Sequence, residues 1–443
     1  MKRIVKHTYL ESRFFTILIG FVFLFIMAYQ IPGWLPISIF LLTVFGLLVL
    51  TDTLLLFKQN GLQANRVLPK KLSNGDNNPI LITLHNAYNF NVKLKLIDEL
   101  PVQYQKRDFQ ILTALNKLSD KKITYTLRPL QRGEYHFGYL NVYVTSPIGL
   151  VTRRFQFGHN AMVPNYPSFL QLKKYMLIAF SNKLFEFGLK KIRSIGHTME
   201  FEQIKDYVPG DDIRTINWKA TAKRNQMMVN QFQDERSQPI YSVIDKGRVM
   251  KMPFKGLSLL DYAINATLVI SNIALKKQDK AGMFAFSKQV SNKVSAERRP
   301  SQMNQIMETL YNLDTDFAES DFSRLYIDMK RYLNQRSLLL LYTNFETLDA
   351  LHRQLPYLKA MAKNHVLVVI FFENTELHKL TQKTAKNTYE IFEKTIAEKF
   401  IFEKKQIVNE LQKHGIQSML TAPEDLTLNT INKYLEIKAR GLL

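Results

Sequence analysis

The sequence predicts a multidomain chain with an N-terminal transmembrane helical hairpin, an antiparallel β-sandwich and a C-terminal α/β domain. Three observations support this order. Two long apolar stretches open the chain, alternating apolar and polar residues follow them, and strand-like and helix-like segments alternate from Pro239 onward. With 443 residues, of which 46% are hydrophobic, the chain is long enough for two or three domains that each bury a core.

The first element, residues 1–58, is predicted to be the transmembrane hairpin. Its apolar stretches run from Phe14 to Tyr29 and from Leu35 to Phe57. A spanning helix needs about 20 residues, so the second stretch is long enough, and the first becomes so if residues 30–34 lie in the membrane interface. The alternative for the first stretch is a cleaved signal peptide, but no A-x-A-like site follows it and the second stretch begins almost at once.

The basic residues around the hairpin predict its orientation. None lies in the 30–34 connection, whereas they flank the hairpin on both outer sides at Lys2, Arg3, Lys6, Arg13, Lys58, Arg66, Lys70 and Lys71. By the positive-inside rule, both termini and the soluble domains are expected on the cytoplasmic side. Asp52 lies inside the second span and is expected to reach the headgroup region, with a functional intramembrane carboxylate as the alternative.

The second element, residues 62–165, is predicted to be the β-sandwich. Half-buried strands are indicated by alternation at 79–84, 91–96, 123–127 and 140–144, with turn residues between them. Two functions are open for this β-sandwich, a protein-binding module and a spacer that holds the next domain away from the membrane. Residues 166–195 then read as a basic helical connector, with apolar residues spaced among lysines.

The third element, residues 196–236, concentrates turn, charged and aromatic residues. Pro209-Gly210-Asp211-Asp212 reads as a turn whose carboxylates accept backbone N–H bonds, and either Asp211 or Asp212 is predicted to cap a helix that opens near Ile213. That helix would carry Trp218, and a strand should follow at 228–232. Because acidic and basic residues are nearly balanced here, a network of internal ion pairs is expected.

This segment resembles the signature of a bacterial membrane-protein family known as domain of unknown function 58. The resemblance, and the candidate signature or partner-binding site, rest on Glu200, Phe201, Tyr207, Pro209, Gly210, Asp211, Asp212, Arg214, Asn217 and Trp218. Ala222 belongs to the same signature, and earlier blocks that resemble the family lie at 66–69, 72–79, 132–135 and 146–151. The resemblance implies two transmembrane helices in the bacterial inner membrane, a β-rich domain and a von Willebrand factor A-like domain, usually associated with a MoxR-type AAA+ ATPase.

The last element, residues 237–443, is predicted to be an α/β domain with a mainly parallel sheet, and the resemblance makes it von Willebrand factor A-like (Rossmann-type). In such domains the first strand ends in an Asp-x-Ser-x-Ser magnesium site, whereas this chain reads Asp245-Lys246-Gly247-Arg248-Val249. Two hydroxyl ligands are missing and two cations are added, so the site is expected to be degenerate and to bind no magnesium. Asp245 would then pair with Lys246, Arg248 or a partner protein.

The composition and the motifs bear on several classes of function. There are no cysteines, which excludes disulfides, thiolate metal sites and cysteine nucleophiles. The phosphate-binding loop, zinc-protease and serine-hydrolase motifs are also missing from the sequence, so neither enzymatic activity nor a cofactor is expected. The net charge of +22 gathers near the membrane segment and in the connector, which favours the lipid bilayer over nucleic acid as its partner.

These observations lead to one main functional hypothesis and two rivals. The main one is a membrane-anchored cytoplasmic adaptor or scaffold that, by resemblance, works with a MoxR-type AAA+ ATPase and other von Willebrand A-domain membrane proteins in assembling or activating protein complexes. The first rival is an enzyme that uses Asp211, Asp212, Arg214 and Asn217 as a polar active site. The second, a membrane tether for nucleic acid, rests on net charge alone.

Overall fold

The computed structural model describes residues 7–31, 33–172, 175, 200–209, 211–233, 237–385 and 387–442. Gly210 and most of the predicted basic connector lie outside these residues. The chain divides into two compact units, Met1–Asn165 and Tyr166–Leu443. The finer domain boundaries from the sequence stay predictions.

The first unit opens with two apolar helices, α1 (Ser12–Gln30) and α2 (Trp34–Phe57). Each is long and apolar enough to cross a membrane. They pack on each other through aromatic rings, with the ring centroid of Phe45 lying 5.5 Å from that of Phe14 and 5.4 Å from that of Phe21. Most other apolar side chains of the two helices are exposed, as lipid-facing residues are.

The rest of the first unit is β-rich and contains seven antiparallel strand pairs among its described residues. The strands are β1 (Thr8–Leu10), β2 (Leu62–Val67), β3 (Leu72–Ser73), β4 (Asn78–Asn86), β5 (Val92–Asp98), β6 (Ile111–Leu115), β7 (Asp120–Leu127), β8 (Gly133–Phe137), β9 (Leu140–Thr145), β10 (Val151–Phe157) and β11 (Ala161–Tyr166). They form sheets in the orders β1-β10-β9-β5-β6, β2-β4-β7 and β3-β11-β8. The first two sheets share one apolar core, since their alternating inward side chains belong to the same buried cluster.

The segment before α1 was not predicted to be part of the β-rich unit. β1 pairs antiparallel with β10, with Thr8 opposite Arg153 and Leu10 opposite Val151. The chain therefore leaves the sheet directly into α1 and re-enters the β-rich unit at β2, soon after α2 ends. Both outer ends of the helical hairpin are held by the same group of strands.

The second unit begins, in its described part, with the signature hairpin. Here β12 (Glu200–Asp206) pairs antiparallel with β13 (Met228–Gln233), and between them lie a 3₁₀ turn (Ile213–Thr215) and the short helix α3 (Trp218–Arg224). The strand predicted at 228–232 is confirmed. The single helix predicted to open near Ile213 and to carry Trp218 is instead two elements, because Asp212 caps only the 3₁₀ turn and Asn217 caps a separate helix that begins at Trp218. A strand, β12, also leads into the turn.

A six-stranded sheet forms the centre of the second unit, in the order β18-β17-β14-β19-β20-β21. Its strands are β14 (Pro239–Asp245), β17 (Lys280–Phe286), β18 (Val290–Glu297), β19 (Leu338–Tyr342), β20 (Val366–Phe372) and β21 (Gln417–Thr421). All neighbouring pairs are parallel except β17 with β18. Two short strands, β15 (Pro253–Phe254) and β16 (Leu257–Ser258), form a separate ribbon after β14.

Helices cover both faces of this sheet, as the alternating sequence pattern predicts. They are α4 (Leu259–Lys276), α5 (Gln302–Tyr311), α6 (Phe322–Tyr332), α7 (Leu348–Asn364), α8 (Thr375–Gln382), α9 (Thr388–Lys413) and α10 (Leu426–Ala439). One buried cluster takes residues from α4, α5 and α10, and the other takes residues from α6, α7 and α9. The carboxyl ends of the five parallel strands, β17, β14, β19, β20 and β21, therefore meet at one edge, where α/β sheets bind ligands.

Candidate functional site

The turn of the signature hairpin is built around Asp211. One carboxylate oxygen accepts from Lys205 Nζ at 2.9 Å, and the other accepts the Val208 N–H at 3.0 Å. The hydrogen bond from Lys205 is the main cause that lowers the pKa of Asp211, with the Val208 N–H next. Lys205 and Asp211 thus form one pair of the expected ion-pair network, and the carboxylate is committed to holding the turn.

The next two polar residues of the signature cap its short helices. Asp212 accepts the Arg214 N–H at 3.0 Å and so caps the 3₁₀ turn. Asn217 accepts the Ala220 N–H at 3.0 Å as the N-cap of α3, and its amide nitrogen donates to Asn230 Oδ1 at 2.8 Å. Capping groups satisfy N–H donors that a helix start leaves unpaired, so both residues stabilise the hairpin.

Several apolar side chains of the signature hairpin, by contrast, are exposed to solvent, although Met228 and Val229 are buried. Trp218 is 68% exposed and Ile213 is 70% exposed. Val208, Met227 and Ile204 are exposed as well. A large exposed tryptophan among other exposed apolar groups is characteristic of a contact surface, since such a patch is costly to leave in water.

The remaining signature residues lie in β12 and in the turn. Glu200 and Phe201 lie in β12, and their side chains are outside the described part of the structure. The Tyr207 N–H donates to the Met227 carbonyl at 2.8 Å, closing the hairpin above the paired strands. Pro209 and Arg214 are exposed in the turn, and Gly210 lies outside the described residues.

Asp245, at the carboxyl end of β14, is almost fully buried. Its Oδ1 accepts the Gly247 N–H at 2.8 Å and the Ser320 hydroxyl, and its Oδ2 accepts the Thr343 hydroxyl at 2.7 Å. Burial raises the pKa of Asp245 against the opposing effect of these three hydrogen bonds. The predicted pairing with Lys246 or Arg248 is wrong, because its partners are one N–H and two hydroxyl groups.

Gly247 stands where the metal motif of the resemblance has its first serine. A Cβ at Gly247 would collide with Ser320 Oγ and lie 2.9 Å from the Ala318 carbonyl oxygen and 3.1 Å from Asp245 Oδ1. The space for the missing hydroxyl is thus filled by a hydroxyl from another loop. Lys246 instead lies 3.5 Å from Asp316 Oδ2, and Thr315 Oγ1 donates to the Lys246 carbonyl at 2.8 Å.

These residues fit a divalent cation poorly. Both oxygens of Asp245 already accept from protein donors, and Val249 supplies no polar ligand atom. Burial acts to raise the pKa of Asp316. Hydrogen bonds from Ser287 and the Ala318 N–H, together with Lys246, outweigh this effect and lower the pKa. Within the described residues, no group of three or more His, Asp or Glu has the spacing to hold a metal ion. The prediction of no magnesium stays a prediction that this geometry supports.

A cavity that the sequence did not single out opens at the same edge of the sheet. Its volume is about 320 Å³. Its walls are largely apolar, and its polar lining comes from the ends of β19 and β20 and from α8 and α9. On α9, Lys404 Nζ donates to Asn344 Oδ1 and to the Phe345 carbonyl, both at 2.5 Å. Burial lowers the pKa of Lys404 to about 8, against the opposing attraction of Glu346.

In the first unit, Asp52 is a buried acceptor near the end of α2. Its carboxylate accepts the Leu150 N–H at 3.0 Å, the Val151 N–H at 2.9 Å and the Ser146 hydroxyl. The expectation that Asp52 reaches the headgroup region is therefore wrong, because protein donors surround it. The family-like block at 146–151 is the turn that wraps this carboxylate.

The other early family-like blocks also serve structure. Arg66 forms a buried ion pair with Asp98, and its second nitrogen donates to the Gly138 carbonyl at 2.9 Å. The Asn78 amide nitrogen donates to the carbonyls of Ser73 and Asp76, each at 2.9 Å, and so closes the 72–79 turn. The fold and these sites define a class: chains with an apolar helical hairpin, a β-rich unit, and an α/β unit preceded by a capped signature hairpin.

Comparison with known proteins bears on the resemblance. Residues 203–382 match the family model described as protein of unknown function DUF58, which confirms the predicted resemblance for this segment of the chain. The uncharacterized protein YeaD of Bacillus subtilis (strain 168) is 26% identical over 245 residues, which cover 53% of this chain and 58% of that protein. The matched part thus spans little more than half of this relative's length.

Solved structures offer only distant likenesses. The CARDB domain of the PF1109 protein from Pyrococcus furiosus is 14% identical, with a TM-score of 0.18 over 24% of this chain and 86% of that one. Proximal thread matrix protein 1 from the mussel byssus is 10% identical, with a TM-score of 0.27 over 46% of each chain. At such TM-scores neither likeness carries an argument about this chain.

Proposed function

We propose that this chain is a membrane-anchored cytoplasmic adaptor or scaffold that presents a von Willebrand factor A-like domain to protein partners. The observation that carries the proposal is the contrast within the signature hairpin. Asp211, Asp212 and Asn217 are engaged in internal hydrogen bonds, whereas Trp218 and Ile213 are exposed. A site that uses these polar groups internally and exposes large apolar ones is suited to binding a protein surface.

The same contrast argues against the rival enzyme. A general acid or base must have a free position for the proton it transfers. Asp211 has both oxygens occupied by protein donors, and Asn217 uses its oxygen and its nitrogen within the hairpin. The nucleic-acid tether still rests on the net charge of +22 alone.

The fold is the ground for proposing an A-like domain. A central sheet with a single antiparallel edge pair, helices on both faces and Asp245 at the end of the first strand suits that type. The family resemblance extends the proposal to its partners, a MoxR-type AAA+ ATPase and other A-domain membrane proteins, and to the bacterial inner membrane with both termini cytoplasmic. The site is proposed to work by contact alone, without magnesium.

The test is to purify the tagged full-length chain from native membranes and to quantify the ATPase that accompanies it. We expect a stoichiometric ATPase with the wild type and at least tenfold less with Trp218→Ala, since a buried interface tryptophan contributes roughly 2 kcal/mol or more, which is about thirtyfold in affinity. Ile327→Ala is the matched control, because Ile327 is a comparably exposed apolar residue on α6.

Two results would contradict the adaptor. One is equal ATPase recovery, or none, with all three proteins. The other is intact recovery with Asp211→Ala together with loss of a small-molecule turnover that the wild type shows, which would favour the enzyme instead.

A further inference from the structure

Helix α9 carries an apolar row that runs out of the core into solvent. Ile407 and Leu411, in its C-terminal half, are buried against the sheet. The same side of the helix continues through Phe400, Ile396 and Phe392, which are 42%, 47% and 68% exposed. These three residues are spaced by four, so they lie above one another along about 12 Å of helix. A row of core-type residues without a cover marks a binding surface.

The exposed row ends at the cavity beside the sheet edge. Phe400 and Ile401 belong to the cavity wall, opposite apolar residues such as Phe254 and Leu420. The row and the cavity therefore form one continuous apolar groove, here called the α9 groove. Its length exceeds what a small molecule filling the cavity would use, and its spacing of four suits the side-chain ridges of a second helix.

The charges at the groove indicate which kind of helix fits. The charged residues that line the cavity are Glu346, Glu373, Glu376, His378, Lys404 and Lys405. Lys404 is turned to Asn344 and Phe345, and Glu373 contacts His378. Glu346 and Glu376 are exposed, and no residue in the described part of the chain forms an ion pair with either. Lys405 is exposed as well, so the mouth carries three carboxylates against two lysines and is slightly acidic within a chain of net charge +22.

We propose that the α9 groove binds an amphipathic helical segment of a partner protein whose apolar face is flanked by Lys or Arg. The apolar face covers Phe392, Ile396 and Phe400 and fills the cavity, and the basic flank meets Glu346 and Glu376. An anionic lipid surface is disfavoured by the same carboxylates. A second copy is disfavoured as well, because a two-fold contact brings identical carboxylates together. This inference rests on the proposed function, in that the occupant is a protein.

The experiment uses the full-length chain in phosphatidylcholine nanodiscs and two labelled helical peptides of designed sequence. Both peptides carry leucines on one face, flanked by lysines in one peptide and by glutamates in the other, and anisotropy is read against empty discs. We expect the lysine peptide to bind, and to bind about tenfold more weakly to Ile396→Ser and to the double variant Glu346→Gln, Glu376→Gln. Ile327→Ser is the matched control and should bind as the wild type does.

The remaining outcomes overturn the inference. They are equal binding of both peptides, binding that Ile396→Ser leaves unchanged, no binding above empty discs, and a dimer of the chain that Ile396→Ser dissociates. Ile396 is already half exposed, so a thermal midpoint equal to the wild type is expected for this variant and excludes unfolding as the cause. ATPase recovery that fails with Trp218→Ala, together with peptide binding that Ile396→Ser leaves unchanged, would overturn this inference and leave the adaptor intact.

Discussion

Two buried carboxylates, Asp245 and Asp52, hold segments of the chain that are distant in sequence. Each accepts three hydrogen bonds, and most of their donors lie between 75 and 99 residues away. A buried carboxylate without such donors would be strongly unfavourable, so the donors and the acid have to be kept together. Their function at the residue scale is to fix loops at the ends of secondary-structure elements.

Replacing Asp245 tests this role. Asp245→Ala leaves the Gly247 N–H and the Ser320 and Thr343 hydroxyls without their acceptor, which costs on the order of 1–3 kcal/mol. Asp245→Asn keeps one acceptor oxygen and should stay close to the wild type. We expect the thermal midpoint of the full-length chain in detergent to fall by several degrees for Asp245→Ala, with or without magnesium. A midpoint that magnesium raises in the wild type alone would contradict the closed site.

The raised pKa of Asp245 also predicts how the stability of the wild type, compared with that of Asp245→Asn, changes with pH. Between the ordinary value of 3.8 and the higher folded value, the folded chain holds a proton that the unfolded chain has lost. Stability from this group is therefore present at low pH and is lost as the pH rises through the folded pKa. The midpoint of the wild type should fall relative to Asp245→Asn as the pH rises from about 4, and a difference that grows in the opposite direction would contradict it.

At the scale of elements, α2 is fastened to the β-rich unit from both sides. Asp52 accepts from the 146–151 turn, and Arg153 of β10 donates to the carbonyls of Leu56 at 2.6 Å and Gln59 at 2.9 Å. The Arg153 guanidinium also lies 4.5 Å from the ring centroid of Phe57. A cation at a helix C-terminus satisfies carbonyls that the helix leaves unpaired and matches its dipole. The end of the helix and the sheet thus form one rigid junction.

The junction can be tested by limited proteolysis. Asp52→Leu leaves the Leu150 and Val151 N–H groups unpaired, so the turn should open more often. We expect trypsin to cleave after Arg153 or Arg154 about tenfold faster than in the wild type, which corresponds to roughly 1.4 kcal/mol of local opening. Thr43→Leu, on an exposed face of the same helix, should be cleaved at the wild-type rate. Equal rates for both variants would show that Asp52 does not hold the turn.

The elements that the sequence predicted are those with strong local periodicity. The apolar spans and the alternating strands of the β-rich unit lie close to the predicted positions, and β14 ends at Asp245 as predicted, because each pattern is contained in a few residues. Asp52 was misread because its donors lie 94 to 99 residues away, and no pattern near residue 52 indicates them. The Ser320 hydroxyl beside Gly247 was missed for the same reason, since only the folded chain brings the two loops together.

At the scale of the whole molecule, the proposed orientation of the chain in the membrane, with both termini in the cytoplasm, can be tested by a direct measurement. β1 precedes α1, and Arg153 of β10 holds the end of α2, so both outer ends of the hairpin lie at one side of the β-rich unit. Two spans joined by a short connection then put residue 31 on the opposite side of the membrane. The chain has no cysteine, so single cysteines can report on each side without a background.

We expect Ile31→Cys to react with a membrane-impermeant maleimide in intact spheroplasts, and Lys117→Cys and Glu398→Cys to react only after permeabilisation. Lys117 and Glu398 are exposed in the first and second unit, so burial would not explain their protection. The opposite pattern would place the domains outside the cytoplasm and remove the proposed access to a cytoplasmic ATPase. Protection of all three positions until permeabilisation would show that the hairpin does not span the membrane, because residue 31 reaches the outer side only if both helices cross it.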